Sequence, residues 1–175
     1  FGKTIPSKDR GEQSISMYKE VGVRVLQTVK DIFEWDDLRI GGSSGWCDLS
    51  YLRRFNCEPH RFYTGEGQNF SDTKYIDFLN DYFHFAEWSN ARIQEVKDIA
   101  AAGCDIVMTH FPFDKYAVAD KYRSDIMTAF FNFSGDVLYE DLDGKIYLTG
   151  HTHDPYDYPR YGVHFINNAL GYPFE

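Results

Sequence analysis

A layered α/β domain is what this sequence predicts, and three observations carry the prediction. Short apolar, β-branched runs stand at Asp105-Ile106-Val107-Met108-Thr109-His110 and at Lys145-Ile146-Tyr147-Leu148-Thr149. A stretch of helical periodicity feeds directly into the first of them. Each run is punctuated by Gly or Pro, as buried strands separated by tight connections require.

Taken in chain order, Leu38 to Gly42 reads as the first strand, and the Gly and polar residues at 41–44 and 64–71 read as loops. Over 89–102 the apolar residues Ile93, Val96, Ile99 and Ala100 recur at helical spacing, with Ser89 as N-cap and Gly103 as stop. The strand at 105–110 comes immediately after and is broken by Phe111-Pro112. A turn at Asp143-Gly144 introduces the strand at 145–149, and partial alternation over 162–167 predicts one more.

The 175 residues suit one domain, 1–175, and 43% hydrophobic with 18% aromatic content excludes intrinsic disorder and coiled coil. Eighteen basic against 27 acidic residues give 18 − 27 = −9, a field that repels long nucleic acid. The longest apolar stretch, at 99–104, falls far short of the roughly 20 residues of a membrane span, so no membrane association is expected. Cys47, Cys57 and Cys104 are odd in number and form no Cys-x-x-Cys pair; reduced thiols and a cytoplasmic location are the expectation.

The chemistry gathers where two strands end. One runs into His110, the other into Gly150-His151-Thr152-His153, so three imidazoles leave the carboxyl ends of core strands, where ligands collect in open α/β sheets. Neutral imidazole suits Zn, Fe, Mn or Ni, and Gly150 is expected to free the backbone ahead of the pair. The competing reading makes all three surface loop histidines.

Met108-Thr109-His110-Phe111-Pro112, Gly150-His151-Thr152-His153 and the closing Ile166-Asn167-Asn168-Ala169-Leu170-Gly171-Tyr172-Pro173-Phe174-Glu175 occur in order. Together they resemble the second half of calcineurin-like metallophosphoesterases, with Ala169-Leu170 where Pro-Arg is frequent. Ile40-Gly41-Gly42-Ser43-Ser44-Gly45-Trp46 likewise resembles the Ser-Gly-Trp loop that borders the active site in such members. The resemblance implies a four-layer α/β/β/α sandwich and metal-dependent hydrolysis of a phosphomonoester or phosphodiester. It further implies two divalent ions (Mn, Fe, Zn or Ni), with His110 and His151 on one metal and His153 on the other. A small phosphorylated substrate is implied, bordered by Ser44 and Trp46.

The family's earlier motifs, Asp-x-His, Gly-Asp and Gly-Asn-His, are absent; Gly135-Asp136 lies downstream of His110 and lacks the second acid. Phe1-Gly2-Lys3-Thr4-Ile5-Pro6 resembles the segment that commonly succeeds the Gly-Asn-His motif in that family. The chain therefore reads as the C-terminal portion of one domain. Its N-terminal half, with the bridging carboxylate and the leaving-group histidine, is expected on a separate or cleaved polypeptide. No residue of this chain is assigned as the proton donor. Two alternatives stand beside this: a non-catalytic binding or scaffold module of the same fold, and a mononuclear hydrolase with three histidine ligands.

Arg160 offers a bidentate fork for a phosphate, and Asp154 is near in sequence, though surface charge is the alternative for both. Trp46 is equally readable as a core anchor. His60 and His84 lack ligand partners at a persuasive spacing and are expected to be structural or on the surface, and His164, in a strand pattern, is expected to be packed. The runs Phe130-Phe131-Asn132-Phe133 and Tyr82-Phe83-His84-Phe85 lack interleaved basic residues and are expected in the core.

Overall fold

The computed structural model describes residues 7–65, 75–76 and 79–169. Six strands, β1 (Phe33–Trp35), β2 (Leu38–Ser43), β3 (Ile106–Thr109), β4 (Ile146–Leu148), β5 (Tyr156–Arg160) and β6 (Val163–Asn167), form one sheet in the order β1-β2-β3-β4-β6-β5. The inner four are parallel; β1 and β5 close the edges antiparallel. All four inner carboxyl ends therefore lie along one rim.

Register divides the sheet into two unlike faces. Val107, Tyr147 and Phe165 stand side by side and are fully buried. Helix α3 (Tyr82–Ala101) covers this face, burying Phe85, Ser89, Ile93, Val96, Ile99 and Ala100. The helix comes so close that a Cβ on Gly41 would lie 2.6 Å from the Ile99 side chain and 2.8 Å from Cys104 Sγ, which explains a glycine inside a buried strand. On the other face Met108, Leu148 and Ile166 share a row, and Met108 is 43% exposed although it stands on a central strand.

Helix α3 starts at Tyr82 rather than 89. Asp81 is the N-cap, its carboxylate accepting from the N–H groups of Phe83 (2.9 Å) and His84 (3.3 Å), while Ser89 is buried inside the helix. The aromatic run 82–85 masks the first turn: Phe85 belongs to the buried stripe, whereas Phe83 is exposed. Strand β2 likewise continues through Ser43, into the stretch expected as loop, because β3 pairs with it that far. Strands β1 and β5 and helices α1 (Ser7–Glu20) and α2 (Pro59–Thr64) are additional to the elements expected. The stretches Phe1 to Pro6 and Leu170 to Glu175, and most of the expected loop at 64–71, lie outside the described residues.

Among the described residues there is a single sheet, so the second sheet of the expected four-layer sandwich is not found among them. What holds is a mixed α/β architecture. Among the described residues no disulfide joins the three cysteines, and Cys47 and Cys104 are buried. Among the described residues no helix is long and apolar enough to cross a membrane.

Candidate functional site

Pairing continues past the strand ends and places the histidines. The Ser44 carbonyl accepts from the backbone N–H of His110 (2.9 Å) and of Phe111 (3.2 Å), carrying the β2–β3 ladder beyond Thr109. Thr149 N–H donates to the Ile166 carbonyl (3.0 Å) and Gly150 N–H to that of His110 (3.2 Å). Thr152 N–H then donates back to the Gly150 carbonyl (2.7 Å), closing a tight three-residue turn centred on His151.

The left-handed residue of this turn is His151 itself, at φ +61°. Gly150 is needed for space instead: a Cβ there would lie 3.2 Å from His110 Nδ1. Its expected role in freeing the backbone is thus corrected to making room for the neighbouring imidazole.

His110 Nε2 and His151 Nδ1 are 3.0 Å apart, with the rings crossing at 73°. Phe111 and Phe131 flank His151 at centroid distances of 4.1 and 4.9 Å. Burial, and after it the charge of His110, pushes the His151 imidazole down to about 4; burial and then His153 lower His110 as well. Both rings are therefore biased toward the neutral form, and their facing nitrogens share a hydrogen bond whose direction is set by the tautomer. Exposed His153 stands near enough to depress the basicity of both.

Two neutral imidazole nitrogens 3.0 Å apart match adjacent vertices of a coordination sphere about 2.0–2.1 Å in radius. The pair fits half of a metal site. Among the described residues no group of three or more His, Cys, Asp or Glu is arranged to hold a metal ion.

Asn167, at the end of β6 and buried, stands in the closing motif quoted above, but its role in the site is not signalled by the sequence. Its amide Nδ2 donates to the carbonyls of Thr152 (2.7 Å) and Asp154 (3.2 Å) and to Thr152 Oγ1 (3.0 Å), clamping the loop that carries His151 and His153. Nothing in the sequence distinguishes this asparagine from its neighbour Asn168. Arg92 is a second such residue. It lines a hollow of about 580 Å³ with His110 and Ser44; its guanidinium is 2.6 Å from Glu95 and lies over Trp88. Ser43 Oγ donates to the same carboxylate (2.9 Å), tying α3 to the end of β2.

Ser44 is exposed in that hollow beside His110. Trp46 is half-buried against Phe111, centroids 4.8 Å apart, one ring removed from His151. Arg160 is not brought to the histidines: it pairs with Val163 at the amino end of β6, whereas His151 lies beyond the carboxyl end of β4. Five residues of β6 separate those ends by about 13 Å. Arg160 instead neutralises buried Asp114 (3.3 Å). Asp154 pairs with Lys121 (3.2 Å), and His60 packs against Tyr82 and Phe83. His164, expected to be packed, is half-buried and bonds Asp157 across the β5–β6 pair (2.5 Å).

No family model matches the chain, and no curated protein matches it. A solved structure, the phosphopantetheinyl hydrolase from Mycobacterium tuberculosis, is similar in fold, with a TM-score of 0.69 at 15% identity. The alignment covers 99% of this chain and 64% of that one, so the chain spans less than two thirds of its length. These findings overturn the assignment to calcineurin-like metallophosphoesterases: no family model supports it, and the structure that matches is a phosphopantetheinyl hydrolase.

Proposed function

We propose that this chain is part of a metal-dependent hydrolase acting on a phosphoester. The observation that carries the reading is the 3.0 Å approach of two neutral imidazoles, His110 and His151, at the carboxyl ends of adjacent parallel strands. Similarity in fold to a hydrolase supports it. In this reading His110 and His151 would hold one divalent ion and His153 would contribute to a second. Bound there, the ions supply Lewis-acid polarisation of the phosphoester and offset charge on its oxygens.

The chain's own residues supply placement. The Ser44 carbonyl fixes the backbone of His110, Asn167 fixes the loop of His151 and His153, and Phe111 and Phe131 keep water off the His151 ring. Arg92, held by Glu95, gives the His110 hollow a cation able to fork onto phosphate oxygens. The missing carboxylate ligands and the proton donor for the leaving group come from polypeptide outside these residues, which also completes the domain as a second sheet. Two observations support that completion: no three-ligand group exists among the described residues, and one face of the central parallel strands lies open.

Assays of the assembled protein with para-nitrophenyl phosphate, its bis ester and a phosphopantetheinylated protein, each with Mn²⁺, test the reading. Hydrolysis of at least one is expected, abolished by chelator, restored by metal and reduced about 10–100-fold or more by His151→Ala. Turnover indifferent to chelator and to His151→Ala would refute it, as would the absence of bound metal by elemental analysis.

A further inference from the structure

We propose that a hollow distinct from the histidine site binds a nucleoside phosphate. It lies between the 3-10 segment Ser50–Phe55, the stretch after β3 and the end of β5, encloses about 560 Å³ and shares no lining residue with the hollows beside His110 and His151. That volume is typical of small-molecule sites.

Charge is the first argument. Arg53, Arg54, Lys115 and Arg160 line this hollow against Asp114 and Asp136, giving 4 − 2 = +2 in a chain of net charge −9. Asp114 is 1% exposed and paired to Arg160, so Arg53, Arg54 and Lys115 face the cavity opposed only by exposed Asp136. Arg54 is pre-positioned: its guanidinium donates to Tyr51 Oη (2.7 Å), which itself donates to the Arg123 carbonyl (3.0 Å). A guanidinium fixed in this way loses little freedom when it forks onto a phosphate.

Asn132 lines the hollow, is 4% exposed, and its side chain makes no hydrogen bond with another described residue. Its amide N and O are not sealed from solvent, so both stay available to a ligand's polar groups in the hollow.

Tyr161, 68% exposed, sits at the β5–β6 corner with the Arg160 guanidinium 4.5 Å over one face, and that same guanidinium lies 4.0 Å over Tyr116. Tyr139 meets Tyr161 edge to face, centroids 5.0 Å apart, so an exposed ring backed by a guanidinium and a second tyrosine offers a platform for a base. Basic side chains for the phosphate and this platform for the base together select a nucleoside phosphate over a bare anion.

Calorimetric titration of the whole chain with AMP, adenosine and inorganic phosphate tests this. Saturable AMP binding is expected, tighter than either fragment. Arg53→Gln with Arg54→Gln should weaken AMP about tenfold or more, and Tyr161→Ala should weaken AMP while leaving phosphate unchanged. Circular dichroism and thermal melting check that these variants, all at exposed positions, keep the fold. His151→Ala must leave AMP affinity unchanged, which separates this site from the proposed hydrolytic one. Absence of saturable AMP binding overturns the proposal. So do equal AMP affinity in the double arginine variant, phosphate binding as tightly as AMP, or loss of AMP binding in His151→Ala.

Discussion

His151 carries two opposed requirements. Its imidazole must meet His110 at 3.0 Å, and to do so its backbone takes φ +61°, a conformation costing an ordinary residue about 1–3 kcal/mol. Such strain persists where surrounding contacts over-determine it, and here Phe111, Phe131 and the clamped loop do so. The strain is separable from the chemistry by two substitutions. His151→Ala and His151→Gly both lose the ring, but only glycine relaxes the backbone. The glycine variant should therefore be more stable than the alanine variant by about 1 kcal/mol in denaturant titration, while both lose metal binding in equilibrium dialysis. Equal stabilities would mean the turn is not strained. The neighbouring glycine works by volume: Gly150→Ala should press on His110 and weaken metal binding.

Elements are tied together at both rims of the sheet. At the amino rim Asp105 accepts from Arg39 N–H (2.9 Å) and Lys145 Nζ (3.0 Å), joining β2, β3 and β4. The Arg39 backbone bond, then Lys145, hold its carboxyl below the ordinary 3.8. Because the folded value is the lower one, this contribution is fully present above pH 3.8 and is lost as pH falls through the folded value. Asp105→Asn should thus lower the melting temperature at pH 7, and the gap to wild type should close in acid; a gap constant down to pH 2 would contradict the assignment. At the carboxyl rim Asn167→Ala leaves the Thr152 and Asp154 carbonyls without their donor and should cost about 1–3 kcal/mol, with a matching rise in proteolysis at 151–154. The strands that carry the histidines are legible because each is a short β-branched run ending at Gly or Pro. Helix α3 is legible only from Ser89 onward, since an aromatic run gives no helical alternation. Strand β5 is not, because Tyr156 to Arg160 includes Pro159 and sits at an edge, where a missing N–H is tolerated. In the site, His110 and His151 can be found from strand-end position, whereas Asn167 acts through bonds to residues 13 to 15 positions away and Arg92 reaches the hollow only through the placement of its helix beside β2 and β3.

For the whole molecule the unlike faces of the sheet set the question. Parallel strands are buried on both sides in stable α/β folds, yet Met108 on β3 is 43% exposed, with Leu148 and Ile166 half-buried beside it. Both hollows that hold the histidines open on this same face, so what covers the apolar row also approaches His110 and His151. In the proposed function, covering the face and completing the site are one event, in which each Å² of apolar surface removed from water contributes roughly 25 cal/mol. Met108→Asp tests this coupling. Because the side chain is already partly in water, the isolated chain should lose little stability, about 1 kcal/mol or less. Association with the completing polypeptide should weaken at least about tenfold, since the same charge would then be buried without a partner. Chelator-sensitive hydrolysis should fall in parallel, although no histidine is altered. Sedimentation velocity, thermal melting and the phosphoesterase assay on the same preparations check all three. If Met108→Asp leaves both association and activity intact, this face is solvent in the working protein and the completing segment docks elsewhere.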